Sequence, residues 1–207
     1  MILTMNFPQR IFGRLLCLAG LAILAGCAHP VSIRSDVTYP KGPVANDASV
    51  GYYISDSNRK LEVTTPGGGG DKISYFPYRD LEPALLETLG SVFGKVYALP
   101  DAGRAEYIKA HDITFVFEPV FTTGSSSDSM MFWPVTDFDL TMKVTAVDST
   151  GKSMWEHQFT GHGHVDKNRS LTDVPPAKEA AKQVFEQLRQ ALVNEPSFQH
   201  GSAVGQN

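Results

Sequence analysis

The amino-acid sequence predicts an α+β domain, with a mostly antiparallel sheet of about 4–5 strands and two amphipathic helices packed on one face. Residues 113–118, 137–146 and 155–160 alternate apolar with polar side chains, which is typical of strands with one buried face. Residues 81–93 and 175–194 instead repeat apolar side chains at helical spacing. Each apolar helix stripe needs a sheet face to cover it, so helices and sheet are expected to form two layers.

The first part of the domain is predicted to be a hairpin. Residues 48–55 are rich in β-forming side chains, and residues 61–65 are expected to return beside them. The glycine run at 67–70 then precedes Asp71 and Lys72, which does not match the spacing of a phosphate-binding loop. We therefore expect a flexible surface loop at this run.

The two helices have recognisable boundaries in the sequence. Asp80 is expected to cap the first helix, at 81–93, because its side chain can accept hydrogen bonds from the free amides of the first turn. The second helix is expected to begin at Pro175 or Pro176 and to run to about Asn194. Their apolar stripes predict that both helices bury one face.

The clearest strand lies in the middle of the chain. Its apolar residues alternate with polar ones over ten positions, and they are Phe138, Leu140, Met142, Val144 and Ala146. A turn at 148–152 then leads into residues 155–160, which are expected to pair with this strand as a hairpin. The polar side chains of the long strand predict a second sheet face that is wet or covered by a partner.

The beginning of the chain has the layout of an export signal. Arg10 and Arg14 precede an apolar run that starts at Leu15 and ends in Leu24-Ala25-Gly26-Cys27. This ending resembles the bacterial lipobox, which implies cleavage between Gly26 and Cys27, a diacylglycerol on the thiol and an N-acyl chain such as palmitate on the new amino terminus. An ordinary secretory signal that happens to contain a cysteine is the alternative. No other cofactor is expected.

These patterns divide the chain into a signal peptide (1–26), the lipidated cysteine with a flexible tether (27–47), a single periplasmic domain (48–195) and a disordered tail (196–207). The tether is rich in proline and polar residues, and it would reach at most about 70 Å when extended. The alternative is that residues 31–33 or 37–39 add an edge strand to the domain.

Composition narrows the classes of function. The signal segment contains two of the 18 basic residues and no acidic residue, which leaves 16 basic and 22 acidic residues and a formal charge of −6. This balance argues against nucleic-acid binding, which needs a basic face. Cys17 leaves with the signal and Cys27 becomes the anchor, so packing rather than disulfides must stabilise the domain.

The middle of the chain resembles a known group of envelope proteins. Ala105-Glu106-Tyr107-Ile108 before a strand, the long alternating strand, the Asp148-x-x-Gly151-Lys152 turn and Trp155-Glu156 are similar to small Gram-negative outer-membrane lipoproteins of the LptE-like and YajG-like kinds. The resemblance covers about 48–194 and implies an assembly or accessory subunit rather than an enzyme. It assigns no functional residue. Ala28 after the anchor, in place of aspartate, favours the outer membrane with the domain facing the periplasm.

An apolar cluster interrupts the predicted loop at 124–134. Met130, Met131, Phe132 and Trp133 follow a serine run, and surface loops rarely expose such a row without covering something. One interpretation is that Met131 and Trp133 begin the next strand and fold onto the core. The other is that the cluster binds an envelope protein partner, another copy or the membrane, because interface cores favour methionine and aromatic residues.

Two histidines raise the alternative of a metal or small-ligand carrier. His162 and His164 lie two apart on a strand-like segment, so their side chains share a face with Asp166. Two imidazoles and a carboxylate could hold zinc or copper. Gly161 and Gly163, however, predict a flexible segment.

A cell-wall enzyme is a third reading. Ser125, Ser126 and Ser127 lack the spacing of a nucleophile elbow. Glu118, Asp137 and Asp139 could supply paired carboxylates for glycoside chemistry. Asp137 and Asp139, however, share a solvent-facing strand surface with Lys143, which is the ordinary pattern of an exposed strand. We therefore expect no catalytic residues, and a lipoprotein that acts by protein binding.

Overall fold

The computed structural model describes residues 28–40 and 42–199, so the lipobox with Cys27 lies outside the described residues. The strands are β1 (Ala28–Pro30), β2 (Asn46–Tyr52), β3 (Val63–Pro66), β4 (Lys72–Tyr75), β5 (Phe93–Ala98), β6 (Ile113–Ser126), β7 (Asp137–Asp148) and β8 (Ser153–His164). The helices are α1 (Asp56–Arg59), α2 (Pro77–Gly90), α3 (Arg104–Ala110), α4 (Pro175–Asn194) and α5 (Pro196–Gln199).

The α+β class is confirmed, but the strands form two sheets rather than one. The larger sheet has the order β5-β2-β6-β7-β8, and the smaller has the order β1-β4-β3. Strands β6, β7 and β8 are antiparallel, as predicted, whereas β2 runs parallel to both of its neighbours, β5 and β6. The larger sheet is therefore mixed, because helices separate β2 from β5 and β5 from β6 along the chain, and a helical crossover brings strands together in parallel.

The predicted hairpin at the start of the domain is wrong. Strand β3 pairs with β4 in the smaller sheet, with Val63 opposite Tyr75, and not with β2. The smaller sheet is fastened to the larger one by hydrogen bonds, because Tyr75 Oη donates to Thr123 Oγ1 of β6 at 2.8 Å. Local β-propensity identified both strands, but it carries no information on which sheet each strand joins.

The main core lies between one face of the larger sheet and the two long helices. Strand β7 contributes Met142, Val144 and Ala146, and the helices contribute Leu85 and Leu188, all fully buried. This is the two-layer packing that the sequence predicts. On the opposite face, α3 packs over a smaller cluster of buried residues, which are Leu99, Ile113 and Val116.

The first long helix begins earlier than expected. Helix α2 starts at Pro77 after Phe76, which makes no side-chain capping bond, so the prediction of Asp80 as the N-cap is wrong. Asp80 lies inside the first turn, where its buried carboxylate accepts a hydrogen bond from Ile33 N–H at 3.1 Å. The acidic residue therefore binds the amino-terminal segment instead of its own helix.

The prediction of a flexible tether is wrong for residues 28–40. Strand β1 pairs in parallel with β4, Ser32 forms a bridge with Asp173, and Ile33 is buried. The alternative of an added edge strand is closer, although the paired residues are Ala28–Pro30 rather than 31–33. Two apolar side chains, Val31 and Ile33, are too few to give a recognisable strand pattern among prolines.

The predicted tail also begins too early. Residues Pro196–Gln199 form α5, and Phe198 is buried among aromatic rings of the core, with its ring centre 5.0 Å from that of Phe115 and 5.9 Å from that of Phe93. The Asn46 side chain also donates a hydrogen bond to the Phe198 carbonyl. A single aromatic residue after a helix-ending proline gives no periodic signal, which explains the error.

Candidate functional site

The loop between β6 and β7 presents a row of apolar side chains to solvent. Met130 is 91% exposed, Met131 84% and Phe132 69%. Hydrogen bonds hold the loop in this form, because Ser129 Oγ accepts from Met131 N–H at 3.3 Å and from Phe132 N–H at 2.9 Å. The apolar row is therefore presented by an ordered loop with its own hydrogen bonds. Part of the serine run is not loop at all, since β6 extends to Ser126.

Trp133 differs from its three neighbours because it folds onto the domain. Its indole ring packs against the main core and stacks on the His29 ring, with ring centres 4.2 Å apart and planes inclined by 11°. Neither Met131 nor Trp133 begins a strand, since β7 starts at Asp137. Met130, Met131 and Phe132 are thus exposed, whereas Trp133 packs on the domain and supports the loop.

The glycine run forms a turn that is hydrogen-bonded to this loop, rather than the flexible surface loop that the sequence predicts. Gly68 N–H donates to Trp133 O at 2.9 Å, and Gly69 N–H donates to Ser129 O at 3.0 Å. A Cβ atom on Gly68 would lie 2.9 Å from Ser129 O, and Gly69 has φ of +65°. Only glycine allows both this close approach and this backbone conformation.

A groove of about 660 Å³ lies between this loop and the segment that follows β8. Its apolar lining consists of Phe132, Trp133, Pro134 and Leu171, and we call it the apolar groove. Leu171 is itself 64% exposed. Its charged lining is balanced and consists of Asp128, Asp166, Lys167 and Arg169. A concave, largely apolar lining with a few polar groups is what binding sites commonly show.

The histidine pair lies on the outer face of β8, where each ring meets a carboxylate of β7. His162 Nδ1 is 2.9 Å from Asp139 Oδ1, and His164 Nδ1 is 2.8 Å from Asp137 Oδ1. Asp166 is nearly fully exposed, with Oδ1 3.5 Å from His164 Nε2. Asp137 and Asp139 were missed as partners, because the signal lies in the register between β7 and β8 rather than in local spacing.

The Asp137–His164 contact changes both ionisation equilibria. The hydrogen bond from His164 is the largest influence on Asp137 and holds the pKa of this carboxyl below its ordinary value, and the hydrogen bond to Asp137 raises the pKa of His164. Within residues 28–40 and 42–199, no group of three or more histidine, cysteine, aspartate or glutamate side chains is placed to hold a metal ion.

The two glycines beside the histidines are packed, which contradicts the predicted flexibility of this segment. A Cβ atom on Gly161 would lie 3.0 Å from the Ala180 carbonyl carbon, and one on Gly163 would lie 2.7 Å from that of Pro176. Both partners belong to α4, which therefore approaches β8 at backbone distance. The absence of side chains serves close packing here.

The residues considered for catalysis do not form one cluster, although Asp137 and Asp139 lie together, with their Oδ1 atoms 3.7 and 2.9 Å from the two ring nitrogens of His162. Ser125 lies on the inner side of β6, where its Oγ donates to Pro66 O at 2.6 Å. Glu118 pairs with Thr145, six residues along β7 from Asp139, or about 20 Å at the rise of a strand. This exceeds the spacing of glycosidase carboxylates, which is at most about 9.5 Å.

Comparisons with known proteins give only weak similarity. No protein-family model and no curated protein matches the chain. Among solved structures, it is similar to protein XCC0632 from Xanthomonas campestris, of family DUF330, with 12% identity over 81% of this chain and 92% of that one and a TM-score of 0.42. It is also similar to the PelC dodecamer from Paraburkholderia phytofirmans, with 14% identity over 74% and 94% of the two chains and a TM-score of 0.42. These similarities carry no information on function.

No helix in the described part of the chain is long and apolar enough to cross a membrane.

Proposed function

We propose that the protein is a lipid-anchored accessory lipoprotein of a Gram-negative cell envelope, that it faces the periplasm from the outer membrane, and that it acts by binding a partner protein. The lipobox Leu24-Ala25-Gly26-Cys27 supports the anchor. Two or more acyl chains on Cys27 would hold the domain stably, since a single chain gives only marginal membrane binding. Ala28, in place of aspartate after the lipidated cysteine, supports the outer-membrane location.

The observation that carries the binding proposal is the apolar groove beside an exposed Phe132. Phe132 and Leu171 are exposed to water in the free protein. Burying these side chains against a partner would therefore contribute favourable hydrophobic free energy to binding. The loop is already ordered by the Ser129 side chain and by the glycine turn, so binding need not order it. These properties are those of a preformed protein-binding site.

The charges of the apolar groove indicate what it accepts. Two carboxylates and two cationic side chains line it, so the groove has no strong net charge of its own. A partner segment with an apolar anchor side chain and few like charges fits this lining, because aromatic and aliphatic anchors dominate such interfaces. Binding is therefore expected to depend little on salt.

Site-specific crosslinking in cells tests the binding proposal. A photoreactive residue at position 132 should give an adduct with an envelope protein, and Leu171→Asp in the same chain should remove it by placing a charge in the apolar groove. The matched control is a photoreactive residue at Met154, which is exposed at the start of β8, far from the groove. Adducts of equal yield at both positions, or none at 132, would refute the proposal.

Intact-mass measurement tests the anchor separately. Cys27→Ser should stop lipid attachment at this position, while Cys17→Ser, inside the signal, should leave it unchanged. The readout is the intact mass of the mature protein, in which acylation adds the mass of the lipid chains. A wild-type protein without this added mass would contradict the anchor and leave the groove to be judged by crosslinking.

A further inference from the structure

We propose that Met130 and Met131, here called the methionine crest, insert into the lipid surface that holds the acylated Cys27. The crest would be a second, non-covalent membrane contact, and it would fix the orientation of the domain on the bilayer. This inference rests on the proposed function in one respect, because acylation of Cys27 is what ties the start of the chain to a membrane.

The chain enters the domain beside the glycine turn. Ala28 pairs with Lys72 at the beginning of β4, and β1 runs parallel to β4. Because the strands are parallel, Ala28 lies at the end of β4 that follows the glycine turn. Cys27 precedes Ala28 by one peptide bond, which places their Cα atoms about 3.8 Å apart.

The crest lies on the other side of the same glycine turn. A Cβ atom on Gly69 would be 3.5 Å from the Met131 carbonyl carbon and 3.6 Å from Met130 O. Lys72 follows Gly69 by three positions, so strand spacing and chain geometry put Ala28 within about 20 Å of the crest.

This end of the chain is held in place. The His29 ring stacks on Trp133, and His29 Nε2 is 3.1 Å from Asp71 Oδ2. Val31 N–H also donates to Ser74 O at 2.9 Å. These contacts fix β1 to the domain beside the glycine turn, so acyl chains on the preceding Cys27 would draw this end of the molecule, with the crest, to the bilayer.

The chemistry of the crest fits lipid as the occupant. Met130 and Met131 are the most exposed of the large apolar side chains in the described residues. Methionine is flexible and apolar, so it can enter the boundary between headgroups and acyl chains without a shaped partner. The neighbouring groove has balanced charge, which indicates apolar insertion rather than attraction to anionic headgroups.

Depth-dependent quenching tests this contact in the full acylated protein. Cysteine is introduced at position 130, 131 or 154 in separate proteins, and each is labelled with an environment-sensitive fluorophore. In the acylated protein Cys27 is a thioether, so the introduced thiol is the one that reacts. The proteins are reconstituted into vesicles of phosphatidylethanolamine and phosphatidylglycerol, made with or without bromine on the acyl chains. Met154 is the matched control, an exposed methionine at the opposite end of β8 from His164.

We expect bromolipids to quench the labels at 130 and 131 several times more strongly than the label at 154. Replacing phosphatidylglycerol by phosphatidylcholine should leave the quenching unchanged, because the contact is apolar. Acylated protein with equal quenching at all three positions would overturn the inference and leave the proposed function intact. If the mass shows that the protein is unacylated and the labels at 130 and 131 are not quenched, both the inference and the proposed anchor are overturned.

Discussion

Gly163→Ala tests how closely α4 packs on β8. The added Cβ atom would lie 2.7 Å from the Pro176 carbonyl carbon and closer still to its oxygen, whereas real Cβ contacts below 3.0 Å essentially do not occur. The obstructing atoms belong to the helix backbone, so no side-chain rotation can relieve the clash. Helix α4 must move away from the sheet, and it would then disturb the buried contacts of Ala180 and Val184.

The expected loss follows from two opposing contributions. Overpacking of a well-packed interior costs about 1–3 kcal/mol, and the upper part of this range applies because backbone atoms are displaced. Replacing glycine by alanine also restricts the unfolded chain, which returns about 0.4–1 kcal/mol. The net destabilisation should be about 2 kcal/mol. Urea unfolding of the chain from Ala28 onward measures it, and with a slope of about 1–3 kcal/mol per molar the midpoint should fall by roughly 1 M.

Gly124→Ala is the matched control. Gly124 lies near the same end of the larger sheet, on β6, opposite Asp139, and nothing lies within 4 Å of its added Cβ atom. Its midpoint should be unchanged or slightly higher, by no more than about 1 kcal/mol in free energy of unfolding. If Gly163→Ala were as stable as Gly124→Ala, close packing of α4 on β8 would be refuted, and the flexible segment predicted from the sequence would be correct.

Three further substitutions test other contacts. The Asp137–His164 pair should stabilise the fold most between pH 3.8 and 6.5, the ordinary pKa values of the two groups, because the pKa of Asp137 is lowered and that of His164 is raised. The contribution is lost below this window as Asp137 becomes protonated and above it as His164 loses its proton. Asp137→Asn should therefore lower the pKa of His164, measured by NMR. An unchanged pKa of His164 would contradict the pairing of the two side chains. Glu82→Gln should cost about 1–2 kcal/mol in urea unfolding, because Arg59 Nη2 donates to its carboxylate at 2.8 Å; a smaller loss in Glu87→Gln, which replaces an exposed carboxylate on the same helix, is the control. Phe198→Ala should cost about 3–5 kcal/mol by leaving a cavity among aromatic rings; stability equal to wild type would show that α5 does not pack on the core.

The sequence predicts the long strands and helices well because their signals are local and repeated. Phe138 to Ala146 alternate over β7, and all five apolar residues of that stretch are buried. The stripe of α4 is equally regular, with Val184 and Leu188 fully buried. In such segments, every residue adds to the same period, so the burial of one face follows from composition and spacing alone.

Pairing between distant segments could not be predicted in the same way. The smaller sheet consists of strands of three and four residues, too short to establish a period. Likewise, the contacts of His162 and His164 depend on the register of β7 and β8, which sets Asp139 and Asp137 opposite them. Register is a property of two strands together, whereas sequence patterns describe one strand at a time.

The amino-terminal segment shows how such a missed pairing changes the functional argument. A free tether would let the domain stand tens of ångströms from the membrane, and the apolar residues of the β6–β7 loop would then have to find their partner in open periplasm. Pairing of β1 with β4 and stacking of His29 on Trp133 remove that freedom. Acyl chains on Cys27 would instead hold the loop at the lipid surface. Under the proposed function, a partner of the apolar groove would then present its binding segment at that surface, which favours a membrane-embedded protein or another lipoprotein over a freely diffusing one.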